Sequence, residues 1–376
     1  MKDFAREEFE KRWANAQELM DKDNLDAIFV TEKTNYRYFT GSQTIQFNNK
    51  QRPMTFVLPR RGKAAMMIYG LEAGLVRDET WVEDIRGYVD VPFPADLVVK
   101  TFKDLGLESG RIGCELGSEQ RLWLTFQEFE AIRAGLPRAQ FVDASRLLKR
   151  VRQVKSLAEI ARIEEACKIT EVAWELVRRR VHAGMTVPQA ERICLQALID
   201  AGSDPVSPGF ILLDVLGYGP EFTYKKGSLF FCDFGGSYRG YKADFARMAT
   251  FGPPSDVFKQ SHEQIMRVFT GVLDAMGPGR RCQDVAARFN KEVEALGYPT
   301  LQGSKRIGHG LGIEHQESPS LNVVDETELV PGMVFTPEPR FIRDGHFIMV
   351  EEDVVITTNG IRKLSHGCET LYTIDA

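Results

Sequence analysis

The sequence has few of the features that mark several large classes of protein. Its basic and acidic residues nearly balance, with 48 Lys and Arg against 53 Asp and Glu, and the net charge of −5 gives no basis for a nucleic-acid surface. No apolar run of about 18 residues occurs, and the charged N-terminus (MKDFAREEFEKR) is unlike a signal peptide. We therefore expect a cytoplasmic protein that binds neither nucleic acid nor a membrane.

Cysteine is also scarce, and its spacing excludes two further kinds of site. The six cysteines lie far apart and none belongs to a C-x-x-C motif, which argues against a disulfide framework and against a thiolate metal site. We expect buried thiols of a reduced protein, at Cys114, Cys167, Cys194, Cys232, Cys282 and Cys368.

The length of 376 residues predicts at least two domains, and the pattern of apolar residues indicates a mixed α/β fold. Residues 1–148 are predicted to form an α/β domain, with a helix around Phe9 to Met20 and apolar runs typical of strands. Those runs fall within residues 25–30, 55–58, 64–69, 111–114 and 140–143, with a helical segment near 124–134. A basic connector at residues 147–155 is expected to lead into the second domain, residues 149–376.

The second domain is predicted to contain two helices followed by strands, and then the same order again. Ser156 with Glu159 forms a capping-box pattern that starts a long helix, and Thr186 with Gln189 starts the next. Strands are expected at 229–232 and 248–251, helices at 256–276 and 282–296, and strands at 333–336 and 348–357. This order hints at an internal duplication, although no residue motif repeats.

Chemistry-bearing residues are concentrated in this second domain. Four carboxylates and one imidazole are too many for one zinc ion, and they suit a pair of divalent ions if some carboxylates bridge. The candidates are Asp233, Asp244, His309, Glu338 and Glu351.

Each candidate also has an ordinary structural explanation when it is taken alone. Asp233 and Asp244 flank a glycine-rich hairpin and could cap backbone N–H groups there, with Arg247 as an ion-pair partner. His309 stands between glycines, which leave room around its ring, and Glu338 stands between two prolines, which stiffen the backbone. Glu351 could be a solvated strand end. Only the joint occurrence favours a shared metal site.

The order and setting of these residues resemble a known metallopeptidase family, which contains methionine aminopeptidase, Xaa-Pro aminopeptidase, prolidase and creatinase. Its catalytic domain has the "pita-bread" fold. The segments that carry the resemblance are GSLFFCDFGGSYRGYKADFAR, GHGLGIEHQESPSL, PGMVFTPEP and VEEDVVIT, together with RQVKSLAEI and Gly184-Met185-Thr186. Asn35, Tyr38, Gly41 and Arg52-Pro53 are similar to the N-terminal domain of the creatinase and prolidase branch.

The resemblance implies the five residues as ligands of two divalent ions, with Glu351 preferred to Glu352 as the last. Oxygen-rich ligation favours Mn²⁺, Fe²⁺ or Co²⁺, with Zn²⁺ possible, and Mn²⁺ is the favoured expectation although the sequence does not choose among them. It also implies attack on a carbonyl carbon by a metal-bridging hydroxide, with Glu338 taking the water proton. A small peptide or small amide substrate is expected, and the branch is usually homodimeric.

Departures from the peptidase pattern lie beside the metal motifs. Peptidases of the family carry a second histidine where this chain has Gln316, and His315 is displaced from that position by one residue. Prolidase-like enzymes carry arginine where this chain has Met349, and glycine where it has Arg340. His315, Gln316 or His346 is therefore expected to donate the hydrogen bond that the missing histidine would give. The leading interpretation is an Xaa-Pro dipeptidase or aminopeptidase, and the alternative is a creatinase-like hydrolase or lyase of small molecules.

Overall fold

A computed structural model describes residues 2–44, 49–89, 93–205, 207–213, 221–299 and 306–375. It divides into two compact units, Met1–Arg152 and Gln153–Ala376. The boundary predicted from the sequence at 148/149 lies slightly earlier and stays a prediction. Among the described residues, no helix has the length and apolar character needed to cross a membrane.

The first unit is a six-stranded sheet covered by helices. Its elements are α1 Arg6–Asp23, β1 Ala27–Val30, α2 Lys33–Thr40, β2 Thr55–Pro59, β3 Ala65–Tyr69, α3 Ala73–Val76, β4 Asp84–Tyr88, α4 Ala95–Asp104, β5 Arg111–Cys114, α5 Phe126–Gly135, β6 Gln140–Asp143 and α6 Ser145–Gln153. The strands are ordered β4-β3-β2-β1-β5-β6.

Both faces of this sheet are buried, which explains why its central strands are apolar without interruption. Ile28 and Val30 pack in one core with residues of α1, α2 and α6. The intervening Ala27 and Phe29 pack in another with residues of α4 and α5. The predicted α/β architecture of this part of the chain is confirmed.

The second unit contains two five-stranded sheets, one two-stranded sheet and two pairs of helices in its described part. Its elements are α7 Leu157–Arg180, α8 Val187–Asp200, β7 Gly209–Leu213, β8 Leu229–Tyr238, β9 Tyr241–Lys242, β10 Phe245–Phe251, α9 Asp256–Asp274, α10 Cys282–Ala295, β11 Arg306–Gly310, β12 Glu317–Asn322, β13 Val334–Pro337, β14 Arg340–Arg343, β15 His346–Met349, β16 Val354–Thr357, β17 Gly360–Lys363 and β18 Tyr372–Ile374.

The predicted repetition of two helices followed by strands is confirmed. α7 and α8 precede a sheet of order β18-β10-β8-β7, in which β9 pairs with β8. α9 and α10 precede a sheet of order β12-β11-β13-β16-β17, and β14 pairs with β15. The capping boxes at Ser156 with Glu159 and at Thr186 with Gln189 start α7 and α8 as predicted.

Alternation along β8 decides which of its side chains belong to the α7–α8 layer. Phe230, Cys232 and Phe234 pack in the core that α7 and α8 form. Leu229 and Phe231 pack instead in the core that contains α9, α10 and the second sheet. Because side chains alternate along a strand, Asp233 lies on the same face as Phe231, toward the second half of the unit.

The structure contains one helix that the sequence did not predict, and one expected strand was wrong. Residues 145–153, in the region of the basic connector, form α6, because Leu147, Leu148 and Val151 make a buried stripe while Arg146 and Arg150 are exposed. Arg152 is buried with the stripe and donates to Oδ1 of Asn35 at 2.9 Å.

The strand expected at 348–357 is two strands, β15 and β16, separated by residues 350–353. Glu351, Glu352 and Asp353 lie in that break, and each contacts a different buried partner, as described below. Their side chains therefore do not alternate between two faces as those of a strand do.

Candidate metal centre

Asp233 and Asp244 are brought together by the hairpin that follows β8. The chain reverses at Arg239 and Gly240, which both have positive φ values of 47° and 83°. β10 then pairs with β8 in antiparallel register, with Ala246 opposite Asp233. Asp233 lies within side-chain hydrogen-bonding range of Asp244. The two carboxyl groups are both buried.

The backbone of Asp244 is fixed by side chains from two other segments. Its N–H donates to Oδ2 of Asp353 at 3.0 Å, and its carbonyl accepts from the Thr336 hydroxyl at 3.0 Å. The same hydroxyl lies 2.7 Å from Oε1 of Glu351, so the two acceptors share its single proton. One threonine on β13 therefore positions two of the candidate ligands, and nothing in the sequence singled it out.

His309 lies on β11, directly opposite Thr336 on β13. Its neighbour Gly308 has φ 153°, and a Cβ there would lie 2.6 Å from the carbonyl oxygen of Thr336, so only glycine permits this approach. Nδ1 of His309 lies 3.0 Å from the carbonyl oxygen of Gly310. Because a carbonyl can only accept, we assign the ring proton to Nδ1, which leaves Nε2 as the donor atom for a metal.

Nε2 of His309 points at the carboxylates. It lies 3.4 Å from Oδ2 of Asp244. One ligand atom from each of Asp244, His309 and Glu351 falls within 4.8 Å of the others. Asp233 is also in side-chain hydrogen-bonding range of Glu351, and Glu338 acts on Asp233 electrostatically. All five candidates from the sequence thus converge on one place in the second unit.

Each of the four carboxylates in this group has an unsatisfied oxygen. Among the described residues, no hydrogen-bond partner reaches Oδ1 of Asp233, Oδ1 of Asp244, Oε1 of Glu338 or Oε2 of Glu351, although all four atoms are buried. Buried carboxylate oxygens are costly without hydrogen bonds or a cation. The arrangement therefore fits divalent cations, with mostly oxygen donors and one imidazole nitrogen.

Burial also shifts the pKa values of the residues in this cluster. Burial, with Glu338 nearby, raises the pKa of Asp233 to about 7. Burial and the neighbouring carboxylates raise the pKa values of Asp244 and Glu351 well above their ordinary values. Burial, followed by the charge of Arg306, lowers the pKa of His309 to about 3, so its ring is neutral at pH 7. A neutral imidazole is the form that binds metals.

Glu352 points away from this cluster, in contrast to Glu351. Its carboxylate pairs with Arg247 at 3.0 Å, accepts from the N–H of Cys368 at 2.8 Å and accepts from the Ser365 hydroxyl. The alternative explanation paired Arg247 with Asp233 and Asp244. In the structure Arg247 instead forms an ion pair with Glu352. The solvated strand end considered for Glu351 is also wrong, because its side chain is 1% exposed.

Of the three candidate hydrogen-bond donors, the structure brings His315 to the cluster. Nε2 of His315 lies 2.8 Å from Oδ2 of Asp244, although at an angle that makes no hydrogen bond. Gln316 is exposed, and its amide oxygen accepts from Arg306 at 3.0 Å. His346 packs against the ring of Phe258 on α9. Burial, with Lys242 and Arg306 nearby, lowers the pKa of His315 to about 4.

Arg340, noted in the sequence only as a departure, contacts a candidate ligand. Its Nη1 lies 2.9 Å from Oε2 of Glu338. The side chain comes from β14, which follows Glu338 after a single proline, so the contact is local in sequence. A second missed residue is Asp353, whose carboxylate accepts from the Asp244 backbone and from the Cys167 thiol at 3.2 Å.

The chain belongs to metallopeptidase family M24, whose model matches residues 161–358. The creatinase/prolidase N-terminal domain model matches residues 12–154. The family and fold predicted from the sequence are therefore confirmed, and so is the prediction of a metallopeptidase-type enzyme. Membership of this family implies divalent metal ions.

Individual relatives agree with this assignment. The chain is 27% identical over 365 residues to an uncharacterized peptidase, YqhT, of Bacillus subtilis, covering 93% of this chain and 96% of the relative. An Xaa-Pro dipeptidase from Bacillus anthracis superposes with a TM-score of 0.85 at 20% identity, covering 97% of this chain and all of that one. Dipeptidase PepE from Mycobacterium ulcerans gives 0.82 at 23% identity, covering 99% and 100%. At these identities the two solved structures establish the fold alone.

Proposed function

We propose that the chain is a dinuclear metal-dependent hydrolase that cleaves the C–N amide bond of Xaa-Pro dipeptides or of peptides beginning with Xaa-Pro. The observation that carries this proposal is the set of four buried carboxylates, each with an unsatisfied oxygen, around a neutral His309. The named activities of the similar dipeptidase structures support the substrate class.

The proposed ligands are Asp233, Asp244, His309, Glu338 and Glu351. Two divalent ions would bring four positive charges against the four negative charges of these carboxylates. Mn²⁺ is favoured over Co²⁺, Fe²⁺ and Zn²⁺ because all but one of the donors are oxygen atoms. When bound, such ions would supply a water ionised near neutral pH to attack the carbonyl carbon, and would polarise the carbonyl oxygen.

The chain's own residues would handle the protons. Oε1 of Glu338 lacks a hydrogen-bond partner among the described residues, and we propose that it accepts the proton of the attacking water. His315 is neutral at pH 7 and lies against Asp244, so it can donate a hydrogen bond to the developing oxyanion. Gln316 remains a second candidate for that hydrogen bond through its amide NH₂ group.

The alternative is a hydrolase or lyase of a non-peptide small molecule. The observations that favour it are the replacements near the cluster. Gln316 is engaged by Arg306, Met349 replaces an arginine of prolidase-like enzymes, and Arg340 brings a positive charge to Glu338. These changes alter the groups that would contact a peptide while the proposed ligands are all present.

A substrate panel separates the two. Metal-free protein would be loaded with Mn²⁺ or Co²⁺ and assayed against Xaa-Pro dipeptides, dipeptides without proline, and non-peptide amides. We expect turnover of Xaa-Pro dipeptides, with loss in Asp233→Asn and retention in Asp256→Asn, whose carboxylate is exposed at the start of α9. Turnover of amides alone would select the alternative, and no Xaa-Pro turnover with either metal would reject the peptidase.

Two properties of the protein as a whole are also proposed. The family resemblance supports a homodimer, which sedimentation equilibrium would test. All six cysteines are buried free thiols, which supports a reducing, cytoplasmic location.

A further inference from the structure

Among the described residues, Arg340 makes three polar contacts that converge on Glu338 and the strand beside it. Nη1 lies 2.9 Å from Oε2 of Glu338 and also donates to the Glu338 carbonyl oxygen at 3.1 Å. Nη2 donates to the carbonyl oxygen of Arg306, the first residue of β11, at 2.9 Å. The guanidinium thus joins the carboxylate of Glu338, its backbone and β11, and the Arg340 side chain is 10% exposed.

These contacts leave the two oxygens of Glu338 in different situations. Oε2 lies 2.9 Å from Arg340, whereas Oε1 is buried without a hydrogen-bond partner among the described residues and has only the more distant Nε of Arg306, at 3.8 Å, as an ion-pair partner there. The backbone around Glu338 is already restricted, because proline stands on both sides of it. The side-chain torsions are the remaining freedom, and the contact with Arg340 limits them.

Arg340 and Met349, two positions at which this chain departs from the family pattern, face each other in one hairpin. β14 and β15 pair in antiparallel register, with Arg340 directly opposite Met349. Met349 is where prolidase-like enzymes carry an arginine. Side chains of directly opposite residues lie on the same face, with Cβ atoms about 5 Å apart. This chain therefore carries its guanidinium on β14, directly across from the β15 position at which prolidase-like enzymes carry theirs.

We propose that Arg340 is a positioning residue for the metal centre, which holds Glu338 so that Oε1 faces the other carboxylates. This inference rests on the proposed function, since it assumes that Glu338 is a metal ligand. Arginine suits the role because its planar fork can serve a carboxylate and backbone carbonyls at once, which a single ammonium group does less well.

Positioning and simple electrostatics predict opposite effects on metal affinity. If Arg340 acted only through its charge, its removal would relieve repulsion and metal ions would bind more tightly. If it positions Glu338, its removal would weaken metal binding. Groups that orient metal ligands typically contribute about 10- to 100-fold in metal affinity.

The test is calorimetric titration of the metal-free, full-length protein with Mn²⁺, which needs no assay of activity. We expect Arg340→Met to weaken Mn²⁺ binding about 10- to 100-fold. Arg340→Lys keeps the charge and loses the fork, and should also bind Mn²⁺ at least about 5-fold more weakly by the same reasoning. It also serves as the more conservative variant should Arg340→Met fail to fold.

Arg343→Met is the matched control. Arg343 lies on the same strand, but its guanidinium contacts Ser261, Gln264 and Gln260 near α9. This variant should bind Mn²⁺ within about 2-fold of the unmodified protein, since it leaves the carboxylate cluster intact. The Co²⁺ absorption spectrum, which reports ligand geometry, should change in Arg340→Met and not in Arg343→Met.

The outcomes separate this inference from the proposed function. If the unmodified protein binds no Mn²⁺ or Co²⁺, the proposed function fails and this inference fails with it. If the unmodified protein binds Mn²⁺ and Arg340→Met binds it equally or more tightly, only the positioning role is overturned. Wild-type affinity in Arg340→Lys would overturn the part assigned to the planar guanidinium.

Discussion

Nε2 of His315 lies 2.8 Å from Oδ2 of Asp244, although the family pattern would put a histidine at the next position, 316. The loop between β11 and β12 makes this possible. Lys155 pairs with Glu317 at 3.1 Å, with both side chains buried, and Glu317 also accepts from the N–H of Glu314 at 3.1 Å. This loop is therefore anchored beside His315, and the ring reaches the cluster from a position displaced by one residue.

His315→Ala is expected to lower kcat about 100-fold or more, because a positioned hydrogen-bond donor contributes about that much to stabilising an oxyanion. Mn²⁺ affinity should change less than the rate. Gln316→Ala should cost less than His315→Ala. The measurement is steady-state kinetics of metal-loaded protein on the best Xaa-Pro dipeptide.

His182→Ala provides the control for that experiment, since His182 is exposed and its Nδ1 lies 2.8 Å from the carbonyl oxygen of the neighbouring Ala183. Its rate should stay close to that of the unmodified protein. Equal rates for His315→Ala and His182→Ala would remove His315 from the proposed mechanism.

Glu351→Gln should lower the amount of bound metal, whereas Glu352→Gln should lower the stability of the fold. The first removes a proposed ligand and should lower the bound metal from two ions per chain to one or none. The second breaks the buried pair with Arg247, which costs about 3 kcal/mol of unfolding free energy because a buried charge loses its partner. Elemental analysis and urea unfolding of both variants give the comparison.

Retention of two metal ions in Glu351→Gln, together with their loss in Glu352→Gln, would reverse the assignment of the last ligand. The neighbouring carboxylates thus act as controls for each other, because the substitutions are chemically identical and adjacent.

Gly235→Ala should disturb both aspartates through the backbone. A Cβ at Gly235 would lie 1.7 Å from the carbonyl oxygen of Ala243, the residue before Asp244. The hairpin would have to open, which we expect to cost about 2–3 kcal/mol of unfolding free energy and to weaken Mn²⁺ binding. Thermal unfolding and calorimetric titration measure the two effects.

Gly277→Ala is the matched control, because a Cβ there would meet only the Cα of Gly360 at 3.9 Å. Its stability should change by about 1 kcal/mol or less. Unchanged metal affinity in Gly235→Ala would mean that the hairpin backbone does not set the separation of the two aspartates.

The metal-free protein should lose stability as the pH rises. Burial raises the pKa of Asp233 from its ordinary value of 3.8 to about 7, so between these values the folded chain binds more protons than the unfolded chain. Such a group contributes stability that is fully present below pH 3.8 and is lost as the pH rises through 7. Bound metal should remove this loss, because it replaces the protons.

The measurement is the melting temperature of metal-free protein from pH 4 to 8, compared with Asp233→Asn and with the metal-loaded protein. The unmodified metal-free protein should show the steepest decline. Parallel curves for the unmodified protein and Asp233→Asn would contradict the assigned shift.

Local signals in the sequence were sufficient for much of the fold. The capping boxes at Ser156 and Thr186 predicted the starts of α7 and α8, because they satisfy backbone N–H groups within a few residues. The connector helix α6 was missed because its basic residues masked a buried stripe. The break between β15 and β16 depends on partners in distant segments, which a local pattern does not contain.

For the candidate site, too, the sequence predicted some features and could not predict others. The five candidate residues lie together in the structure, as their joint occurrence predicted, although each one taken alone favoured an ordinary structural role. The sequence preferred Glu351 to Glu352, and the structure adds the physical reason, because Glu351 accepts from Thr336 on β13 whereas Glu352 pairs with Arg247 on β10. The contact between Arg340 and Glu338 follows from the geometry of a hairpin, which the sequence did not predict as a separate element.

The most direct test of the central claim is anomalous diffraction from crystals of the protein soaked with Mn²⁺, recorded at the manganese absorption edge. Two peaks are predicted within the group formed by Asp233, Asp244, His309, Glu338 and Glu351, with both weakened or lost in Asp244→Asn. An absence of peaks among these side chains at saturating Mn²⁺, and again with Co²⁺ or Zn²⁺ at their own edges, would contradict a shared metal centre.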